Sequence, residues 1–191
     1  MRVLRILKWL WVIVPASFAV FWILLATANA RVTSATATVL DVRGGDLGQV
    51  TLTQLPGVDT RVRYALHGLS PGFHAFHVHA DGVCTAKVDF RSAGRHYDHA
   101  GRIVPFDGRM PVLLVTTAGT AIGAFVTDRF QVADVVGRTV IVHLRPDNYG
   151  NIPLGTGPSE FRPNSSFAVT KLLRSGDAGL NLACGLIRAT G

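Results

Sequence analysis

The sequence predicts an all-β sandwich or barrel with long loops, preceded by an N-terminal hydrophobic helix. Residues after Ala30 fall into short β-branched runs separated by Gly, Pro and Asp turn signals. No stretch after Ala30 sustains the 3.6-residue apolar period of a long helix. With 48% hydrophobic and 16% charged residues among 191, the chain can fill a buried core, which excludes a disordered polar chain.

The elements follow in order. Arg2, Arg5 and Lys8 precede an apolar run from Trp9 to Ala26, and Ala28-Asn29-Ala30 has the small-x-small form of a signal-peptidase site. Residues 1–30 are therefore read as a signal peptide, or as an uncleaved anchor, because the run approaches the roughly 20 residues that span a bilayer. Either way the basic residues favour the cytoplasmic side and residues 31–191 are exported, to periplasm, cell envelope or medium. Any membrane contact is expected through residues 1–30 alone.

A small, polar stretch leads to a domain start near Ala35. Strands are expected at Thr36 to Val42, Gln49 to Gln54, Arg61 to His67, Phe73 to His79, Pro111 to Thr117, Thr139 to Leu144 and Leu182 to Ile187. Gly44-Gly45-Asp46, Pro56-Gly57 and Pro71-Gly72 close the first turns. Ala80 to Gly108 and Arg145 to Gly179 break the rhythm, and loops that long inside a compact domain are usually functional or disordered.

Beyond residue 30 the chain has 16 basic and 12 acidic residues, a net of +4. The basic residues are scattered, which suits a solvated surface or attraction of small anions and argues against a nucleic-acid partner. The two cysteines, Cys84 and Cys184, either pair, as is usual in an exported chain, or stay as buried thiols.

Five of the seven histidines lie between His74 and His99. His77 and His79 are two apart in a β-type run, so both imidazoles leave one face while Phe76 and Val78 leave the other. His143 closes the apolar run Thr139-Val140-Ile141-Val142, and His96 would come from the long loop. Imidazoles without free thiolates suit copper, zinc, iron or nickel, and a tetragonal nitrogen set favours Cu(II). Calcium and magnesium, which want oxygen, are disfavoured. Spacing alone leaves surface or packing histidines as an alternative.

At these residues the sequence resembles the copper/zinc superoxide dismutase family, particularly its bacterial secreted branch, over about residues 35–191. The resembling motifs are Gly72-Phe73-His74-Ala75-Phe76-His77-Val78-His79, Ser92-Ala93-Gly94-Arg95-His96-Tyr97, Gly137-Arg138-Thr139-Val140-Ile141-Val142-His143 and Gly176-Asp177-Ala178-Gly179-Leu180-Asn181-Leu182-Ala183-Cys184-Gly185. The resemblance implies an eight-stranded Greek-key β-barrel, His77, His79, His96 and His143 as ligands of one copper ion, a Cys84–Cys184 disulfide, and superoxide as substrate.

Several positions depart from the family pattern or bear on it. The family supplies zinc from the bridging histidine, matched by His96, with two further histidines and an aspartate. Here only His99 and Asp98 offer a doubtful match, and the segment after Ala100 runs straight to Gly108, so the expectation is a copper-only site. Asn181 stands where the family has an arginine near the copper that draws in the anion, so turnover is expected to be slower unless Arg95, Arg145 or Arg174 compensates. Asp147 matches an aspartate that links to ligand histidines, expected here on the free nitrogen of His96. His96 is the expected proton carrier of the catalytic cycle. Competing readings are a copper-binding protein without turnover, a β-sandwich interaction module and a zinc hydrolase.

Overall fold

The chain begins its first strand at Ser34, and the alternation of the sequence explains which side of that strand faces inward. In β1 (Ser34–Asp41) the residues Ala35, Ala37 and Val39 are buried while Thr38 and Leu40 are exposed. The same period of two buries Val50 and Leu52 of β2 (Asp46–Gln54) and Thr60, Val62 and Leu66 of β3 (Thr60–Leu66), leaving Arg61 and Arg63 in solvent. The structure is a computed structural model and describes residues 32–99, 106–147 and 178–190. The N-terminal segment 1–30, residues 100–105 and most of the loop after Arg145, with Arg174, lie outside them.

The expected strand at Phe73 to His79 is two strands, β4 (Gly72–His74) and β5 (Phe76–His79), because the chain changes partner at Ala75. Strand β4 pairs with β6 (Leu113–Val115), whereas β5 pairs with β8 (Thr139–His143) in the register His77 to Ile141 and His79 to Thr139. Ala75 itself is tied on both sides, its N–H donating to Arg145 O and its carbonyl accepting from His143 N.

Two of the described strands were not expected, β7 (Ala121–Thr127) and the two-residue β10 (Arg188–Ala189). Strand β7 pairs along its whole length with β3 and forms the end of the sheet. Its apolar side chains are misleading as a sequence signal, since Ile122 and Val126 are 78% and 52% exposed and face solvent at an edge. Pairing with β3, and not apolar burial, makes it a strand.

The main sheet is eight-stranded, antiparallel and curled, in the order β5-β8-β9-β1-β2-β3-β7, where β9 is Asn181–Leu186, with β10 (Arg188–Ala189) also paired to β1. A single helical turn, α1 (Val132–Val135), closes one end over the core, and Gln131 and Asp134 cap it reciprocally. Among the described residues no helix is long and apolar enough to cross a membrane.

The core inside the curl contains Val39, Val50, Leu52, Val62, Phe76, Val78, Leu113, Val140, Val142 and Ile187. Strands β5 and β8 are buried on both faces: Phe76 and Val78 point into this core and His77 and His79 point away from it, yet all four are buried. The imidazoles are thus covered by the long loop rather than by water.

Candidate metal centre

A histidine on a strand buried on both faces can only be tolerated if its polar nitrogens find partners. His77, His79, His96 and His143 satisfy this by turning toward one another. Their candidate donor atoms all lie within 4.8 Å of each other, and the residues are 0%, 4%, 6% and 2% exposed. Nδ1 of His77 is 3.0 Å from Nε2 of His143, and Nε2 of His79 is 3.3 Å from that same atom. Nitrogens bound to one ion at about 2 Å lie at most about 4 Å apart, so the set fits a single small metal ion with little movement.

Strand geometry delivers three of the four. His77 and His79 leave the same face of β5 with their rings 6.4 Å apart, as expected for neighbours two apart, and His143 arrives from β8, the adjacent strand. His96 comes from the loop, which backbone pairing converts into a rigid support. His79 and His96 form an antiparallel bridge, Tyr97 N donates to Val78 O, and Ala80 N donates to Arg95 O. The chain at Phe106 to Met110 then runs along the open side of the same strand: Val78 N donates to Gly108 O, Gly108 N to Tyr97 O and Met110 N to Phe76 O. Gly108 is needed there, because a Cβ would collide with Val78 O.

The disulfide expected between Cys84 and Cys184 is present, with Cα atoms 5.8 Å apart. It joins the loop to β9, where Phe90, Ala93, Ile141 and Cys184 form a second small core beneath the histidines. Thr139 Oγ1 donates to Asp81 O and an Arg138 guanidinium N–H donates to Ala80 O, so the loop is held at its entry.

Hydrogen bonds set the ring orientations. His79 Nδ1 bonds to Gly94 O at 2.9 Å, which leaves Nε2 aimed at the cluster. Asp147 corrects an expectation: its Oδ2 meets Nε2 of His77 at 3.0 Å, on the far side of that ring from the cluster, and not His96. Because Asp147 follows β8 by only four residues while His96 lies on the opposite loop, the chain delivers the carboxylate behind β5.

Burial is the main cause of the electrostatics. Desolvation lowers all four imidazoles from their ordinary value of 6.5, His79 to about 3 and His96 and His143 well below it; the neighbouring rings lower His79, His96 and His143 further, while Asp147 pulls His77 partly back. Neutral imidazoles present lone pairs, which is the form that ligates metals. The donor set therefore fits a borderline transition-metal ion, and four nitrogens with no thiolate suit Cu(II).

Other expected residues sit apart from the cluster. His99 and Asp98 are outside the four-residue group, and His99 contributes a backbone N–H to Asp107 Oδ2 at 2.9 Å. Asn181 lies opposite His143 in the ladder, and its Nδ2 donates to Phe90 O at 3.2 Å. Arg95 is exposed beside His96, and the Arg145 side chain packs close to Gly179. Three contributors were not expected: His74, whose Nδ1 donates to His143 O at 2.7 Å; Phe106, whose ring lies 4.0 Å from that of His96; and Arg109. The dense histidine motif could have pointed to His74; no local pattern points to the other two.

A sequence profile of the copper/zinc superoxide dismutase (SODC) family matches residues 47–187. The chain is 34% identical over 142 residues to a Cu-Zn superoxide dismutase of Mycolicibacterium paratuberculosis, covering 63% of this chain and 58% of that protein. It is 30% identical over 173 residues to one of Caulobacter vibrioides, covering 81% and 86%. It thus spans a little over half the length of its mycobacterial relatives. The Cu/Zn superoxide dismutase structure from Brucella abortus superposes with a TM-score of 0.59 at 23% identity, covering 80% of this chain and 98% of that one, so the fold is shared. The chain belongs to the copper/zinc superoxide dismutase family.

Proposed function

We propose that this member of the family dismutes superoxide outside the cytoplasm, at one copper ion held by His77, His79, His96 and His143 and without zinc. The observation that carries the reading is the convergence of four buried imidazoles on one point. Copper held by these residues would supply the one-electron oxidation and reduction that convert two superoxide ions and two protons into dioxygen and hydrogen peroxide.

The chain's own residues bind, orient and move protons. His77, His79 and His143 are fixed by strand backbone and, for the first two, by Asp147 and Gly94 O. Backbone pairing with His79 fixes the main chain of His96, but its ring is the most exposed of the four and its Nδ1 has no hydrogen-bond partner among the described residues, so it is the ring able to turn. We assign it the proton: with copper bound, the His96 imidazole would be the group of this chain that takes up a proton and delivers it to reduced substrate.

The reading without zinc is supported by His99 and Asp98, which among the described residues stand outside the four-histidine group. Copper reconstitution of the full chain, metal analysis and a superoxide assay test the reading together; one copper per chain, no zinc and activity above free copper are expected. His96→Ala with full activity would remove the proton assignment. A second reading, copper binding with little turnover, is favoured by Asn181, which places no cation opposite His143. Stoichiometric copper without activity would decide for it.

A further inference from the structure

Asp147 is a carboxylate with no exposed side-chain surface, and a buried carboxylate is costly unless a cation balances it. Its hydrogen-bond partner, His77, must be neutral to bind a metal and so contributes a donor but no charge. Arg109 contributes the charge. Its guanidinium is 3.8 Å from Asp147 Oδ1, an ion-pair distance, and is 18% exposed. It also lies over the Phe106 ring, 4.8 Å from the centroid. That ring in turn stacks on His96 at 4.0 Å and meets the edge of His77 at 5.3 Å. The backbone places the pair firmly, since His77 and Arg109 form an antiparallel bridge and Arg129 donates to Phe106 O.

We propose that Arg109, seated on Phe106, is a positioning residue: a fixed cation that balances Asp147 and through it holds His77 in its metal-binding orientation. The inference rests on the copper reading above. Two of the four ligands are then braced from behind by groups of this chain, His77 by the Arg109–Asp147 pair and His96 by the Phe106 ring.

The test is Cu(II) affinity of the full chain, by chelator competition, with the Cu(II) electron paramagnetic resonance spectrum as a readout of ligand geometry. Arg109→Gln should weaken binding about tenfold and shift the copper hyperfine coupling, while Arg109→Lys, which keeps the charge, should recover most of the affinity. Should Arg109→Gln fail to fold, the double variant with Asp147→Asn leaves no unbalanced carboxylate. In that background Arg109→Gln should add nothing to the loss caused by Asp147→Asn alone. Unchanged affinity and spectrum in Arg109→Gln, or additive losses in the double variant, overturn the inference. Wild-type protein that takes up no copper overturns the reading beneath it as well, which separates the two failures.

Discussion

The imidazole of His79 and the carbonyl of Gly94 are joined by a 2.9 Å hydrogen bond across fifteen residues, and that bond links the strand ligands to the loop ligand. Two residues beyond Gly94, His96 pairs by backbone with His79 itself. The pair of contacts makes one frame of strand and loop, so that the backbone of a residue from irregular chain is fixed to the strand that carries two other ligands.

Gly94 permits this contact because its φ of 72° and ψ of −153° lie where glycine alone is comfortable, and a Cβ there would collide with the Asp81 carboxylate. Gly94→Ala should cost about 1–3 kcal/mol of stability and weaken copper binding through His79. Urea unfolding and copper titration measure both; an unchanged unfolding midpoint would sink the argument.

The Cys84–Cys184 bridge closes a separation of 100 residues. Chain entropy values such a loop at about 4.7 kcal/mol, and removing a native disulfide typically costs ~2–5 kcal/mol. The Cys84→Ala/Cys184→Ala protein should lose stability in that range and hold His96 less firmly, read as a lower melting temperature and faster copper release. Equal melting temperatures for the two proteins would contradict it.

Phe76 is fully buried between His77 and the core and meets Tyr64 edge-on at 6.0 Å. Phe76→Ala should destabilise the domain by about 3–5 kcal/mol, since the lost apolar contact leaves a cavity that strands cannot close. Denaturant unfolding would show it, and a loss below 1 kcal/mol would mean β5 is not anchored from behind.

The metal-free protein should lose stability on mild acidification. Burial depresses the four imidazoles below 6.5, with His79 at about 3, so below pH 6.5 the unfolded chain binds protons that the fold refuses. Stability is complete above that pH and falls as pH drops toward 3, by up to about 1.4 kcal/mol per pH unit for each imidazole. Urea midpoints at pH 7.5 and 5 should therefore differ; identical midpoints would show the histidines to be solvated.

Asn181→Arg places a cation opposite His143. A guiding positive charge can raise the encounter rate of a small anion by roughly tenfold or more and makes it salt-sensitive. Stopped-flow rates at low and high ionic strength test this, and equal rates for the two proteins would mean that another cation already guides superoxide.

The site was more legible than its support. His77-Val78-His79 announces a shared face through the period of two, and His143 ends a run of β-branched residues, so alternation and composition sufficed for strands, core side and ligand faces. β7 escaped because Ile122 and Val126 face solvent at a sheet edge, which hydrophobic patterning cannot distinguish from inward-facing residues. Asp147 was attached to the wrong histidine because its partner is set by which side of β5 the chain returns on.

By itself the sequence determined what local rules govern, an all-β chain and strand faces with His77 and His79 on one side, while the set of four imidazoles came from its resemblance to the family. Tertiary structure alone decided which atoms meet. It aimed the free nitrogens of His77 and His79 by giving their other nitrogens to Asp147 and Gly94, and it carried Phe106 and Arg109 against two ligands. Those contacts join residues far apart in the chain, through backbone pairing and buried charge balance, and such long-range partners leave no periodic signal in a sequence.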